Sequence, residues 1–185
     1  QKTEGLRIEG GVVDLGSDSS ISANGTASTI YLTGRGYGEF NANNLTVTTA
    51  QSTALTLISS MHATVANIGE GSTIDGRNTT SHTTNGIVAN TPHNAPTTIN
   101  VNGSVNGYGA SAQYSGATIN LSNTDIIMSG SNPYGLWAIG SGDFTHAGII
   151  NAENLTIDMS GANGSGYGVV VQQGGIVNLT GDTTI

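Results

Sequence analysis

The chain of 185 residues contains no cysteine. Disulfides therefore play no part in its stability. An extracellular life would rest on backbone hydrogen-bond ladders and side-chain stacking instead. Positive charge is almost as scarce. Lys2, Arg7, Arg35 and Arg77 are the only Lys or Arg residues, set against twelve carboxylates, and the net charge is −8. A phosphate backbone needs neutralising cations and an anionic membrane surface needs a polybasic patch, so both are poor partners for this chain. Long apolar runs are missing too: none approaches the ~18 residues that a bilayer-spanning helix requires. Charged residues make up only 9% of the chain, whereas disordered chains of low hydrophobicity are usually highly charged.

What is abundant is small and polar. Gly, Ser, Thr and Asn together account for 91 residues, about half the chain. That composition alone would suit a flexible linker, but it carries a repeat. A β-branched or aromatic residue, a polar residue that is usually Asn, and a following apolar residue recur seven times. The copies start at Val13, Phe40, Val65, Ile99, Ile119, Ile150 and Val177, a mean step of about 27 residues. Periods of ~20–50 residues mark solenoids, because one repeat cannot bury its own apolar face and must stack on a neighbour.

Two further phrases sit between the copies. One runs Ala54–Leu57, Gly86–Ala89, Gly109–Ala112, Gly135–Ala138 and Gly168–Val171, with Ile30-Tyr31-Leu32 as a sixth copy. The other is nearly verbatim in two places, Ile126–Gly130 and Ile157–Gly161. All are short alternating runs rich in Val, Ile and Thr, punctuated by Gly, Asn, Ser and Asp, which reads as strands joined by tight turns. Three short strands per 27-residue turn is the layout of a right-handed parallel β-helix, here of about seven coils. Each strand then pairs with its counterpart one coil later. Three inward columns follow: Leu55, Ile87, Ala110, Leu136 and Val169; Leu57, Ala89, Ala112, Ala138 and Val171; and the seven repeat-start residues. The Asn after each residue of the third column would stack as a hydrogen-bonded ladder, with Asp14 in the Asn position of the first copy. The chain reads as a single β-helix over 1–185. The last copy starts at Val177, and the chain stops in mid-coil at Ile185, which reads as a trimmed segment with further coils beyond.

Candidate sites are few. Tyr108, Tyr134 and Tyr167 each precede the equivalent Gly of the second phrase, so they are expected to stack in one column. Trp137 alternates outward beside them. Such a column could stack on sugar rings or on a partner surface; the plainer reading is that the rings pack on one another at the coil corner. The histidines, His62, His82, His93 and His146, have neither zinc-ligand spacing nor cysteine company and read as loop residues. A carbohydrate-cleaving β-helix would cluster carboxylates on one coil face with Lys or Arg beside them. Here Asp14, Asp75, Asp125, Asp158 and Asp182 are spread one per coil, and no Lys or Arg follows Arg77. Neighbouring coils could bring two of them within reach of one another, for instance Asp125 with Asp158. Gly140-Ser141-Gly142-Asp143 is a lone fragment of a calcium β-roll motif, and Gly34–Gly38 lacks the helix of a nucleotide loop. No metal and no cofactor is expected.

The run from Gly166 to Ile185, with further copies in Gly107–Ile126 and Pro133–Ile157, resembles the repeats of Gram-negative autotransporter passenger domains. The nearest likeness is to pertactin-like and diffuse-adherence-type adhesin passengers. The resemblance covers most of the chain and is weakest before about residue 27. It implies a β-helix passenger at the cell surface or in the medium, exported by type V secretion through a C-terminal β-barrel that this sequence does not contain. It also implies a non-catalytic adhesive or self-associating role. Its partners would be a host-surface glycan or protein, or another copy of the same chain. A stem carrying another effector domain, or a polysaccharide lyase or hydrolase, are the alternatives.

Overall fold

The computed structural model describes residues 4–23, 28–33, 36–49, 56–61, 63–77, 85–91 and 96–185. It is a parallel β-solenoid of about six turns of about 27 residues each. Seven parallel strands form one sheet in the order β1 (Leu6–Ile8), β4 (Ile30–Leu32), β7 (Thr56–Met61), β9 (Asn85–Asn90), β11 (Ala110–Gln113), β13 (Tyr134–Ile139) and β15 (Tyr167–Gln172). The other sheet stacks β2 (Gly11–Asp14), β5 (Gly38–Ala42), β8 (Thr64–Asp75), β10 (Thr97–Gly107), β12 (Ala117–Ser131), β14 (Ile149–Asn163) and β16 (Ile176–Thr184). Short strands β3 (Ser20–Ala23) and β6 (Thr46–Thr49) lie on a third face, where β6 pairs with the second half of β8. The long strands therefore bend round a corner. Register breaks mark the bend, as between Val101 and Ser104 in β10 and between Glu153 and Leu155 in β14.

The corner has a backbone cause. Asp18, Asn44, Asn123 and Asn154 have φ between +47° and +62°, and Gly71 and Gly181 take φ of +76° and +65° at the same bend. Asn, Asp and Gly are the residues that enter this left-handed region at least cost. The small polar residues of the sequence thus sit where each coil must turn.

Inside, alternate side chains stack coil on coil. Phe40, Ile58, Ile87, Ile99, Ile119, Leu136 and Ile150 are completely buried. Fully burying such a side chain contributes about 1.5–3 kcal/mol, so the inner columns are the main source of cohesion.

The expected columns are present with two corrections, and Val171, paired with Ala138 at the end of the second column, is 51% exposed rather than buried. Ile99 pairs with Ile119, Ile119 with Ile150 and Ile150 with Val177, but the third-coil member is Ala66 rather than Val65. Ala66 lies between Phe40 and Ile99 and is completely buried, while Val65 is only half-buried. A one-residue shift moves a strand residue to the opposite face. Asn67, held in the ladder, decides which neighbour points inward. In the first sheet, Ile87 pairs with Ile58 and Ala89 with Ser60, so Leu57 does not oppose Ala89 as expected; Leu55 lies outside the described residues. Ser60 is buried because its hydroxyl has partners. It lies 2.5 Å from Thr64 Oγ1 and 2.6 Å from Thr97 Oγ1, and those two hydroxyls are 2.8 Å apart. The copy Ile30–Leu32 stands as expected, opposite Ile58–Ser60, and Leu6–Ile8 adds a strand of the same sheet in the coil of Val13, a copy of the second phrase that the repeat did not reveal. His62, His82, His93 and Arg35 lie outside the described residues.

Candidate functional site: an amide-lined groove and an aromatic platform

The asparagine ladder is continuous. Asn41 donates to Asp14 Oδ1 at 2.6 Å, Asn67 to Asn41 at 2.7 Å, and Asn100 to Asn67 at 2.7 Å. It continues from Asn120 to Asn100 at 2.7 Å, Asn151 to Asn120 at 2.9 Å and Asn178 to Asn151 at 2.8 Å. The carboxylate of Asp14 can only accept when ionised, so Asn41 must present Nδ2 to it. Every later rung then donates in the same sense along the axis. The steps in sequence are 27, 26, 33, 20, 31 and 27 residues, so loops of varying length leave the ladder in register.

Each rung faces outward between two inward residues, and the strand then turns at the left-handed corner. The result is a groove running along the axis. Its first stretch, about 430 Å³, is lined by Asn41, Asn67, Asn100 and Asn120 on one side and by Asn43, Gly69, Asn102 and Ser122 on the other. The second, about 300 Å³, shares Asn120 and Ser122 and continues past Asn151 and Asn178, with Glu153 and Thr180 opposite them. The opposing wall is always two residues beyond a ladder residue. That spacing is legible in the sequence, yet the wall residues were not singled out there, because their identities vary.

The aromatic column is only partly assembled. Tyr134 and Tyr167 occupy paired positions and stack with centroids 5.7 Å apart and planes 10° apart. Tyr134 also stacks on Trp137 at 5.2 Å and 30°. Trp137 points outward, half-buried, and its indole N–H donates to Gln172 Oε1 at 3.2 Å. Tyr167 is 52% exposed. Tyr108 differs: it is 3% exposed and its hydroxyl lies against Gly130. One coil on, Ala162 stands opposite Gly130 and carries a methyl group. The half-buried rings of Tyr134 and Trp137 and the exposed ring of Tyr167 thus form a platform without Tyr108.

One carboxylate pair is drawn together: Asn41 Nδ2 donates to Asp14 Oδ1 at 2.6 Å and to Glu39 Oε1 at 2.9 Å. Asp125 is opposite Thr156 and Asp158 opposite Ile127, so these two sit two residues apart along adjacent strands, both exposed. The hydrogen bond from Ser160 holds Asp158 below the ordinary carboxylate range. Arg77 does the same for Asp75, Tyr37 and Asn41 for Glu39, and His146 with Thr145 for Asp143. A glycosidic general acid needs the opposite displacement, a carboxyl kept protonated near neutrality. Asp143 of the calcium-like fragment caps a single 3₁₀ turn, Phe144–His146, accepting from the backbone N–H groups of Thr145 and His146. Among the described residues no group of three His, Asp or Glu side chains is placed to hold a metal ion.

Comparison with family models, with curated proteins and with solved structures gave no significant match. The residues and their geometry are therefore the basis for a functional reading.

Proposed function

We propose that the chain is a segment of a surface-displayed or secreted autotransporter passenger, acting as a non-catalytic adhesin or self-association module at the Gram-negative cell surface. The observation that carries this reading is the unbroken row of outward amides from Asn41 to Asn178, one rung per coil, beside an open groove. A single exposed hydrogen bond contributes only about 0.5–1.5 kcal/mol net. A stiff rod that repeats the same group at each coil adds many such contacts without ordering a flexible segment at each one. The repeat resemblance to adhesin passengers supports the same role.

Sedimentation of the purified chain across a wide concentration range tests the reading, together with clumping and adhesion of cells displaying it. Concentration-dependent association, or adhesion conferred on a non-adherent host, is the expected result. A strict monomer at high concentration that leaves displaying cells dispersed and non-adherent would refute it.

A further inference from the structure

Resting on that reading, we propose that the ladder groove is a binding site for an extended, neutral glycan chain lying along the solenoid axis. Successive rungs are one strand spacing apart, about 4.8 Å. Six asparagines from Asn41 to Asn178 therefore offer amides over about 24 Å. An equatorially 1,4-linked pyranose chain advances by close to that spacing per sugar with alternate rings turned over, so each ring can meet one rung and like hydroxyl edges recur at every second rung, in step with the ladder. An extended peptide advances about 3.3 Å per residue, and its same-side groups recur at about twice that, out of step with the rungs.

The chemistry of the rungs points the same way. A primary amide has two N–H donors and an oxygen with two lone pairs. At the interior rungs Asn67, Asn100, Asn120 and Asn151 the ladder uses one donor and one lone pair. Each of these half-exposed side chains keeps one donor and one acceptor for an outside group. A hydroxyl is both donor and acceptor, so it can match such a rung. The opposing wall offers Ser122 and Thr180 hydroxyls, the Asn43 and Asn102 amides, and one carboxylate, Glu153. Glu153 can accept from neighbouring sugar hydroxyls. It disfavours uronates and sulfated chains, as does the net charge of −8, and no Lys or Arg lines the groove among the described residues.

Calorimetric titration of the purified chain with neutral β-1,4-linked oligosaccharides of increasing length tests the site. Affinity should rise with each added sugar and level off near six. Heparin fragments, oligogalacturonates and Ser/Thr-rich peptides should bind at least about tenfold more weakly. Ser122 lies where the two stretches of groove meet, so Ser122→Trp should cost about tenfold or more for the longer oligomers while the far-ultraviolet spectrum is unchanged. Should that variant misfold, Thr180→Trp at the far end should weaken binding of the hexamer and leave the trimer untouched. Affinity independent of length, undiminished binding by folded Ser122→Trp, a preference for the anionic chains or peptides, or no binding would each overturn the assignment. Lack of glycan binding alongside persistent self-association would sink the groove and leave the adhesive-rod reading standing. Length-dependent binding by a chain that neither associates nor promotes adhesion would do the reverse.

Discussion

At the scale of single residues, the ladder makes a measurable demand. Asn120 receives from Asn151 and donates to Asn100, so Asn120→Ala breaks two bonds and leaves Asn100 Oδ1 and Asn151 Nδ2 each without its ladder partner. These side chains are half-exposed and water can reach them, so the loss should be about 1–2 kcal/mol rather than the larger cost of a fully buried orphan. Asn178→Ala breaks one bond and should cost roughly half as much. Urea unfolding checks this as a fall in midpoint at unchanged slope. An equal effect at the two sites would mean that the rungs do not act as a chain. The asparagine row was legible in the sequence because the same polar residue follows an inward one in six of seven copies. The burial of Tyr108 was not, because its ring settles against Gly130, a residue 22 positions later whose lack of a side chain has no visible meaning in a Gly-rich chain.

At the scale of elements, the glycine that opens the second phrase turns out to be a spacing device. A Cβ on Gly86 would lie 2.5 Å from the Tyr108 carbonyl, and one on Gly109 or Gly135 would overlap the backbone carbonyl of the equivalent glycine one coil on. No side chain fits between coils there without moving a backbone. Gly109→Ala should therefore destabilise by about 1–3 kcal/mol, the range of overpacking in a filled interior. Gly16 has open space around its Cβ position, so Gly16→Ala should stay within about 0.5 kcal/mol. Thermal or urea denaturation of the two variants side by side checks the contrast. Periodicity showed where strands lie, but not always which residue faces in. At Val65-Ala66 both candidates are apolar, and in the third coil the run from Ala54 to Ile58 holds four aliphatic residues that alternation alone cannot rank. Pairing with Phe40 and Ile99, and with Ile30 and Ile87, settles both registers.

At the scale of the whole molecule, two copies approaching side by side each carry a net charge of −8. If association runs through neutral amide and hydroxyl rows, charge only opposes it. Raising ionic strength from about 10 mM to 150 mM shortens the screening length from about 30 Å to about 8 Å and should strengthen self-association. Sedimentation equilibrium at the two salt concentrations reads the sign directly. Weakening by salt would point to intermolecular ion pairs in place of neutral contacts. The same charge balance frames the glycan groove, whose single carboxylate, Glu153, meets an uncharged ligand, so its binding should be nearly indifferent to salt.

The amino-acid sequence by itself determined that this chain winds. Its repeat of about 27 residues, its alternating apolar positions and its turn-forming residues have one mutual solution, parallel strands stacked coil on coil, and the asparagine row follows from that stacking. The concave outer surface was decided only in three dimensions. A groove needs two walls, and one wall is defined by a bend at Asn44, Asn123, Asn154 and Gly181 that aims residues two positions past each rung toward a common axis. Local pattern carries the inward column because burial selects the same kind of side chain at every coil. It does not carry the wall, because solvent-facing positions accept Asn, Gly, Ser, Glu or Thr alike, and only the path of the backbone brings them together.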